Sequence, residues 1–207
     1  MVALPDADIR WARGGPYLRM HSGRKFPLYT SPKEMAAQWY VPDIAYHGAG
    51  VNRYGGGSRL SIAQHMVVGA RMAERFYPGT ELLPARFLIH DVTESVLGDV
   101  PSPVKSLLPD YKELEDQFQR SVELWTDLSF IGDPLVKEID NRMWLTEREA
   151  VYMHVDNDIS EDTARVPLEP FELLLSEFLD DFAPWDDSYA EEQYLIEFRR
   201  LLPWMDW

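Results

Sequence analysis

An all-α domain is what the sequence predicts, and three observations predict it. From Ser61 onward, apolar residues recur at three- and four-residue spacing in successive segments that Gly or Pro brings to a stop. No convincing run of strand-like alternation appears after residue 30. Hydrophobic residues make up 45% of the 207 and aromatics 13%, enough for one sizeable core and too much for a disordered chain.

In chain order, Gly14-Gly15-Pro16 and Ser22-Gly23 break the first thirty residues, and weak alternation over 17–20 and 25–29 predicts a small N-terminal β-hairpin. Ser31, Pro32 and Glu34 then stand as N-cap, first-turn proline and capping-box acid, opening a short helix. A second short helix starts near Pro42-Asp43. Gly48, Gly50 and Gly55-Gly56-Gly57 bracket Val51-Asn52-Arg53-Tyr54, which reads as a tight connection.

A helix begins at Ser61, with Ile62, Met66, Val67, Ala70 and Ala73 inward, and stops at Tyr77-Pro78-Gly79. Its partner runs from about Leu83 to Leu97, with Phe87, Leu88, Val92 and Val96 inward, and ends at Gly98. Pro101 and Pro103 confine the next stretch to a loop or short turn. Pro109-Asp110 opens a long helix to about Leu128, and Ile131-Gly132-Asp133-Pro134 punctuates before another to about His154. An acidic segment around Phe171 to Leu179 follows, and a last amphipathic helix runs from about Ser188 through Leu202. With no repeat and no low-complexity linker, one domain over 1–207 is the economical organisation: a core over about 31–154 and an acidic, helical C-terminal extension over 155–207.

Several function classes are excluded by composition. The chain has no cysteine, so disulfides, thiolate zinc sites and cysteine nucleophiles are out, and any metal must be held by His and carboxylate. No apolar run approaches the ~18 residues of a membrane span. The start, Met-Val-Ala-Leu-Pro-Asp, lacks the basic-then-apolar pattern of an export signal, so a cytoplasmic protein with no membrane partner is expected. The net charge of −15 is concentrated in the C-terminal part, where residues 155–192 carry one basic side chain against thirteen acidic ones. Such a chain repels duplex nucleic acid. The slightly basic first half still suits a small phosphorylated ligand.

Three positions are awkward as ordinary core. His90 is followed by Asp91, with Glu94 four residues on, so one continuous helix would carry His90 and Glu94 on one face. His65 lies on or near the apolar stripe of the preceding helix, where an uncompensated imidazole is costly. Asp140 sits three residues from one apolar position and four from the next. Each alone has a bland reading as a satisfied buried polar group. Together they become economical if they share one divalent cation.

The block His90-Asp91-Val-Thr-Glu94-Ser-Val-Leu-Gly98-Asp99-Val-Pro101-Ser-Pro103-Val-Lys105 resembles the HD-domain metal phosphohydrolases. The likeness is nearest to small bacterial and prophage 5′-deoxynucleotidases and related phage dATP triphosphohydrolases. Supporting marks are Ser22-Gly23-Arg24-Lys25-Phe26, Asn52-Arg53-Tyr54-Gly55, Gln64-His65, Leu108-Pro109-Asp110-Tyr111-Lys112 and Asp140 with Leu145-Thr146-Glu147-Arg148. The resemblance implies an HD-domain helical bundle in which His65, His90, Asp91 and Asp140 bind a divalent ion (Mn, Co, Zn, Fe or Mg). It makes Glu94 the group that orients or deprotonates water, and puts Asp99 beside the leaving oxygen or the sugar hydroxyl.

Arg53, Lys105 and Lys112 are then phosphate contacts, with Tyr54 placed to stack on a base and so to favour purines. The implied activity is a dNTP triphosphohydrolase or a 5′-deoxynucleotidase, and the implied assembly is a homo-oligomer. A non-catalytic metal- and nucleotide-binding sensor is the competing reading, which intact Glu94 and Asp99 disfavour. One departure is the stretch Gly56-Gly57-Ser58-Arg59, where the family offers a histidine. His47 before it reads as a surface or capping residue, and His21 and His154 as structural.

Overall fold

The computed structural model describes residues 15–152 and 183–206, of which 149–152 by backbone alone. The acidic stretch around Phe171 to Leu179 and the expected helix end at His154 lie outside the described residues. The rest is all-α with one small hairpin, as the sequence predicts.

Strands β1 (Tyr17–Arg19) and β2 (Lys25–Pro27) pair antiparallel, Leu18 opposite Phe26. The side chain of Phe26 turns inward and meets the rings of Trp39 and Phe118 at 4.6 and 5.4 Å between centroids. Burying such a ring is worth ~1.5–3 kcal/mol, and this contact fastens the hairpin to the helices. Helix α1 (Pro32–Ala36) starts with the expected capping box: Ser31 accepts from the Glu34 amide and the Glu34 carboxylate accepts from the Ser31 amide. It packs on α7 (Pro109–Thr126), where Trp39 donates its indole N–H to Ser121 Oγ at 2.9 Å.

Helices α2 (Val41–Gly50) and α3 (Ile62–Phe76) follow, joined across 51–61 by an isolated bridge between Asn52 and Ser61. Ser61 caps α3 by accepting from the Gln64 amide. Every residue from Ile62 to Ala70 is buried, because α2, α8 (Pro134–Tyr152), α9 (Asp187–Leu201) and α4 (Leu83–Ile89) all pack against α3. Gly69 permits the last of these contacts. A Cβ there would lie 2.0 Å from the Phe87 ring of α4.

The expected helix from Leu83 to Leu97 is in fact two. After α4 the chain tightens into bonds between residues three apart, Val92 to Ile89, Glu94 to Asp91 and Ser95 to Val92, before the single turn α5 (Glu94–Leu97). The cause is local: His90 Nδ1 reaches back to the Phe87 carbonyl at 2.6 Å, an oxygen that also takes the His90 amide at 3.4 Å. Gly98, with φ of 79°, ends α5, and the prolines following it lead into α6 (Ser102–Lys105). Helix α7 ends at Thr126 with Asp127 left-handed, and Asp133 Oδ1 accepts from the Leu135 amide to start α8. Helix α9 packs on α2, α3 and α4 and buries Tyr194 and Phe198. No helix among the described residues is long and apolar enough to cross a membrane.

Candidate metal centre and active site

His65 from α3, His90 and Asp91 from the tightened turn after α4, and Asp140 from α8 converge. One ligand atom from each lies within 4.8 Å of every other. The separations are 3.6 Å from His65 Nε2 to both Asp91 Oδ2 and Asp140 Oδ1, and 3.2 and 3.9 Å from His90 Nε2 to the same two oxygens. Donors around a common ion at about 2.0–2.2 Å stand roughly 3.0–3.6 Å apart, so the set is close to the spacing of a coordination shell.

The imidazoles are oriented for this. His65 Nδ1 is bound to Glu147 Oε1 at 2.7 Å and His90 Nδ1 to the Phe87 carbonyl, so in each ring Nε2 faces the cluster. Both Nε2 atoms are buried and make no hydrogen bond. A buried polar atom with no partner is costly, and a shared cation would satisfy both. A carboxylate or carbonyl on the distal nitrogen of a metal-bound His is the usual outer support of such centres. The residues present therefore fit a divalent metal ion.

The electrostatics agree. Burial works against charge on His90, yet the Asp91 and Asp140 carboxylates raise its pKa to about 10. Burial likewise opposes ionisation of Asp91 and Asp140, and both stay below the usual carboxylate range because His90 and His65 face them. The cluster thus holds two carboxylates in the charged state in a buried place, a field that attracts cations. Glu94 goes the other way: burial, followed by the nearby charge of Asp91 and Asp99, pushes it well above its ordinary value.

A cavity of about 900 Å³ opens over the cluster, lined by His90, Asp91, Asp140, Glu94, Asp99 and Lys105 among others. Lys105 Nζ lies 3.3 Å from Glu94 Oε1 and 2.5 Å from Glu115 Oε1, while Glu94 Oε2 is buried without a partner. The turn that separates α4 from α5 still brings His90, Asp91 and Glu94 to the same cavity, by folding rather than by one helix face.

Asp99 Oδ2 accepts from the Gly55 amide at 2.9 Å, which stitches the 98–103 loop to the 52–57 connection. Arg53 and Tyr54 line the cavity but are already engaged. Arg53 Nε donates to Glu147 Oε2 at 2.8 Å and its Nη1 lies 3.6 Å from Asp91 Oδ2, and the Tyr54 hydroxyl donates to the same Glu147 oxygen at 2.9 Å. Tyr54 holds a left-handed backbone, φ 61°, a conformation a bulky residue adopts only where its surroundings impose it. Lys112 is exposed on α7 and does not line the cavity. His21 and His47 are outside it too: the His21 amide donates to His47 Nε2 at 3.0 Å, and the His21 ring stacks on Tyr46.

The residue that sequence reasoning left without a role is Glu147. It is buried, and burial alone would raise its pKa, but Arg53 and His65 hold it below the ordinary value as a carboxylate. Besides its place in the Leu145-Thr146-Glu147-Arg148 mark, its sequence signal is its position seven residues after Asp140, two turns along the same face of α8.

Among known proteins, the chain is 32% identical over 138 residues to YfdR, an uncharacterized protein of Escherichia coli strain K12, spanning 64% of this chain and 70% of that one. The chain belongs to the YfdR family. It is also 35% identical over 112 residues to an uncharacterized protein of Rhodobacter capsulatus, spanning 51% of this chain and 56% of that one. No family model matches the chain. The site of this YfdR-family chain must therefore be read from its own geometry.

Proposed function

We propose that this chain is a metal-dependent phosphohydrolase that acts on deoxynucleotides and releases phosphate from the 5′ position. The observation that carries the reading is the convergence of His65, His90, Asp91 and Asp140 beneath a cavity that also presents Glu94, Asp99 and Lys105. A divalent ion held by the four supplies Lewis acidity toward a phosphoryl oxygen and lowers the pKa of water. Two imidazoles with two carboxylates suit Mn, Co, Fe or Mg, or a Zn site with expanded coordination.

Glu94 is the group suited to take the proton from attacking water. Its Oε2 has no partner, its Oε1 is held by Lys105, and its raised pKa moves it toward the range where a carboxylate acts as base. Asp99 keeps one oxygen on the Gly55 amide and the other for the leaving oxygen or the sugar hydroxyl. Lys105, which lines the cavity between Glu94 and Glu115, is the proposed partner of a phosphate oxygen.

Charge favours one phosphate over three. Among the described residues, the cations lining the cavity are Arg53, Lys105 and Lys137, and each already faces a carboxylate: Glu147, Glu94 and Asp140 respectively. A divalent ion offsets a monophosphate, whereas a triphosphate chain needs further free cations along its length. The 5′-deoxynucleotidase reading therefore stands ahead of the triphosphohydrolase one.

The test is a panel of dNMPs, dNDPs, dNTPs and ribonucleotides with Mn, Co, Zn and Mg, scored for phosphate, pyrophosphate and triphosphate. Phosphate release from dNMPs with a divalent metal is the expected result. Triphosphate release from dNTPs would move the triphosphohydrolase reading ahead, and nucleotide binding with no release under any metal would leave a binding protein.

A further inference from the structure

If the site takes a nucleotide, the base needs a platform, and Tyr54 is poorly free to be one: its hydroxyl is bound to the buried Glu147 carboxylate. Helix α8 offers another. Beyond the ligand Asp140, it lines the same cavity with Asn141 and Trp144.

Trp144 is one turn past Asp140, and four residues of helix advance about 6 Å. That is the order of the separation between the 5′-phosphate of a nucleotide and its ring. The Trp144 indole is partly exposed, and the Arg148 guanidinium 4.8 Å from its centroid makes a cation–π contact with one ring face. Asn141 makes no side-chain hydrogen bond among the described residues, so its amide has a donor and an acceptor to spare. Phe130 and Pro134, at the corner that leads into α8, add apolar surface to the cavity.

We propose that Trp144 and Asn141 form the nucleobase subsite, Trp144 by stacking and Asn141 by hydrogen bonding to the base edge. This inference rests on the phosphohydrolase reading for the position of the phosphate, and it assigns the part of the substrate that reading leaves open. Stacking on an indole tolerates any base, so Trp144 sets affinity for nucleotides over simple phosphate esters. An amide paired with a base edge distinguishes one base from another, so Asn141 sets the ranking among bases.

The experiment compares the full-length, metal-loaded protein with its Trp144→Ala, Trp144→Phe and Asn141→Ala variants on the four dNMPs and on 2-deoxyribose 5-phosphate, which has no base. Calorimetric binding of the dNMPs runs in parallel. Trp144→Ala should raise KM and Kd for dNMPs about tenfold or more, with a much smaller change on the baseless ester, and Trp144→Phe should recover most of the loss. Asn141→Ala should alter the order of preference among the bases. Equal losses on dNMPs and the baseless ester, or unchanged dNMP binding in Trp144→Ala, would overturn the subsite. If the unmodified protein hydrolyses none of these esters, the phosphohydrolase reading fails separately. The subsite then stands or falls on whether Trp144→Ala weakens dNMP binding in the calorimeter.

Discussion

Glu147 accepts from three side chains at once, His65 through one oxygen and Arg53 and Tyr54 through the other. One buried carboxylate therefore fixes both the tautomer of a candidate metal ligand and the position of the connection that borders the cavity. Replacing it by Gln keeps the shape but removes the charge that faces Arg53 and the strong acceptor for His65 Nδ1–H. We expect Glu147→Gln to weaken metal binding about 10- to 100-fold with an unchanged circular dichroism spectrum. Equilibrium dialysis against Mn would show it.

The four candidate ligands should behave differently from Glu94. Asp91→Ala should abolish metal retention, whereas Glu94→Ala should retain the metal and lose about 10²-fold or more in turnover. Metal analysis alongside kinetics separates the two. His65, His90, Asp91 and Asp140 were legible as candidates because each sits badly in the pattern of its own helix. Glu147 was not, since its partner on α3 lies 82 residues away and spacing along one helix cannot reveal a contact across the bundle.

Helix starts were the most readable elements, because the signal is local. The Ser31-Pro32-Glu34 sequence gives the capping box it predicts, and burial plays almost no part in it. Hydrogen bonds from Thr30 and Ser31 hold the Glu34 carboxyl below its ordinary value. A depressed carboxyl pKa stabilises the folded state above the unfolded value and loses that contribution as pH falls through the folded one. The stability gap between the native chain and Glu34→Ala should therefore be constant near neutrality and shrink below about pH 4.5, the ordinary value from which the shift is measured. Urea unfolding across that range would measure it.

The helix expected over 83–97 divides in two for an equally local reason. Apolar spacing continues through Val92 and Val96, but the imidazole of His90 takes up the Phe87 carbonyl and the backbone tightens. Packing between elements was invisible in the sequence at Gly69. Gly69→Ala should cost about 1–3 kcal/mol or more by overpacking against Phe87, lowering the thermal midpoint without touching the metal ligands.

At the scale of the molecule, the candidate metal centre draws on segments far apart in sequence, α3, the 90–91 turn and α8. Ion binding to the folded chain alone stabilises it by mass action, about 2.7 kcal/mol at a hundredfold excess over Kd. For a chain of this size that corresponds to a thermal shift of roughly 5–10 °C between EDTA and saturating Mn. A shift of zero would mean that no ion is held.

The two halves of the site also rest on unlike foundations. His65 belongs to α3, buried through nine consecutive positions and covered by four other helices, whereas Glu94 and Lys105 stand on the single turns α5 and α6, the second of which buries no residue. Amide hydrogens of α3 should therefore exchange with deuterium only when the whole domain opens, on the slowest timescale the molecule has. Those of 94–106 should exchange through small local openings. A bound ion would then be gripped by the most persistent part of the protein, while Glu94 and Lys105, the groups proposed for proton and phosphate, breathe around it.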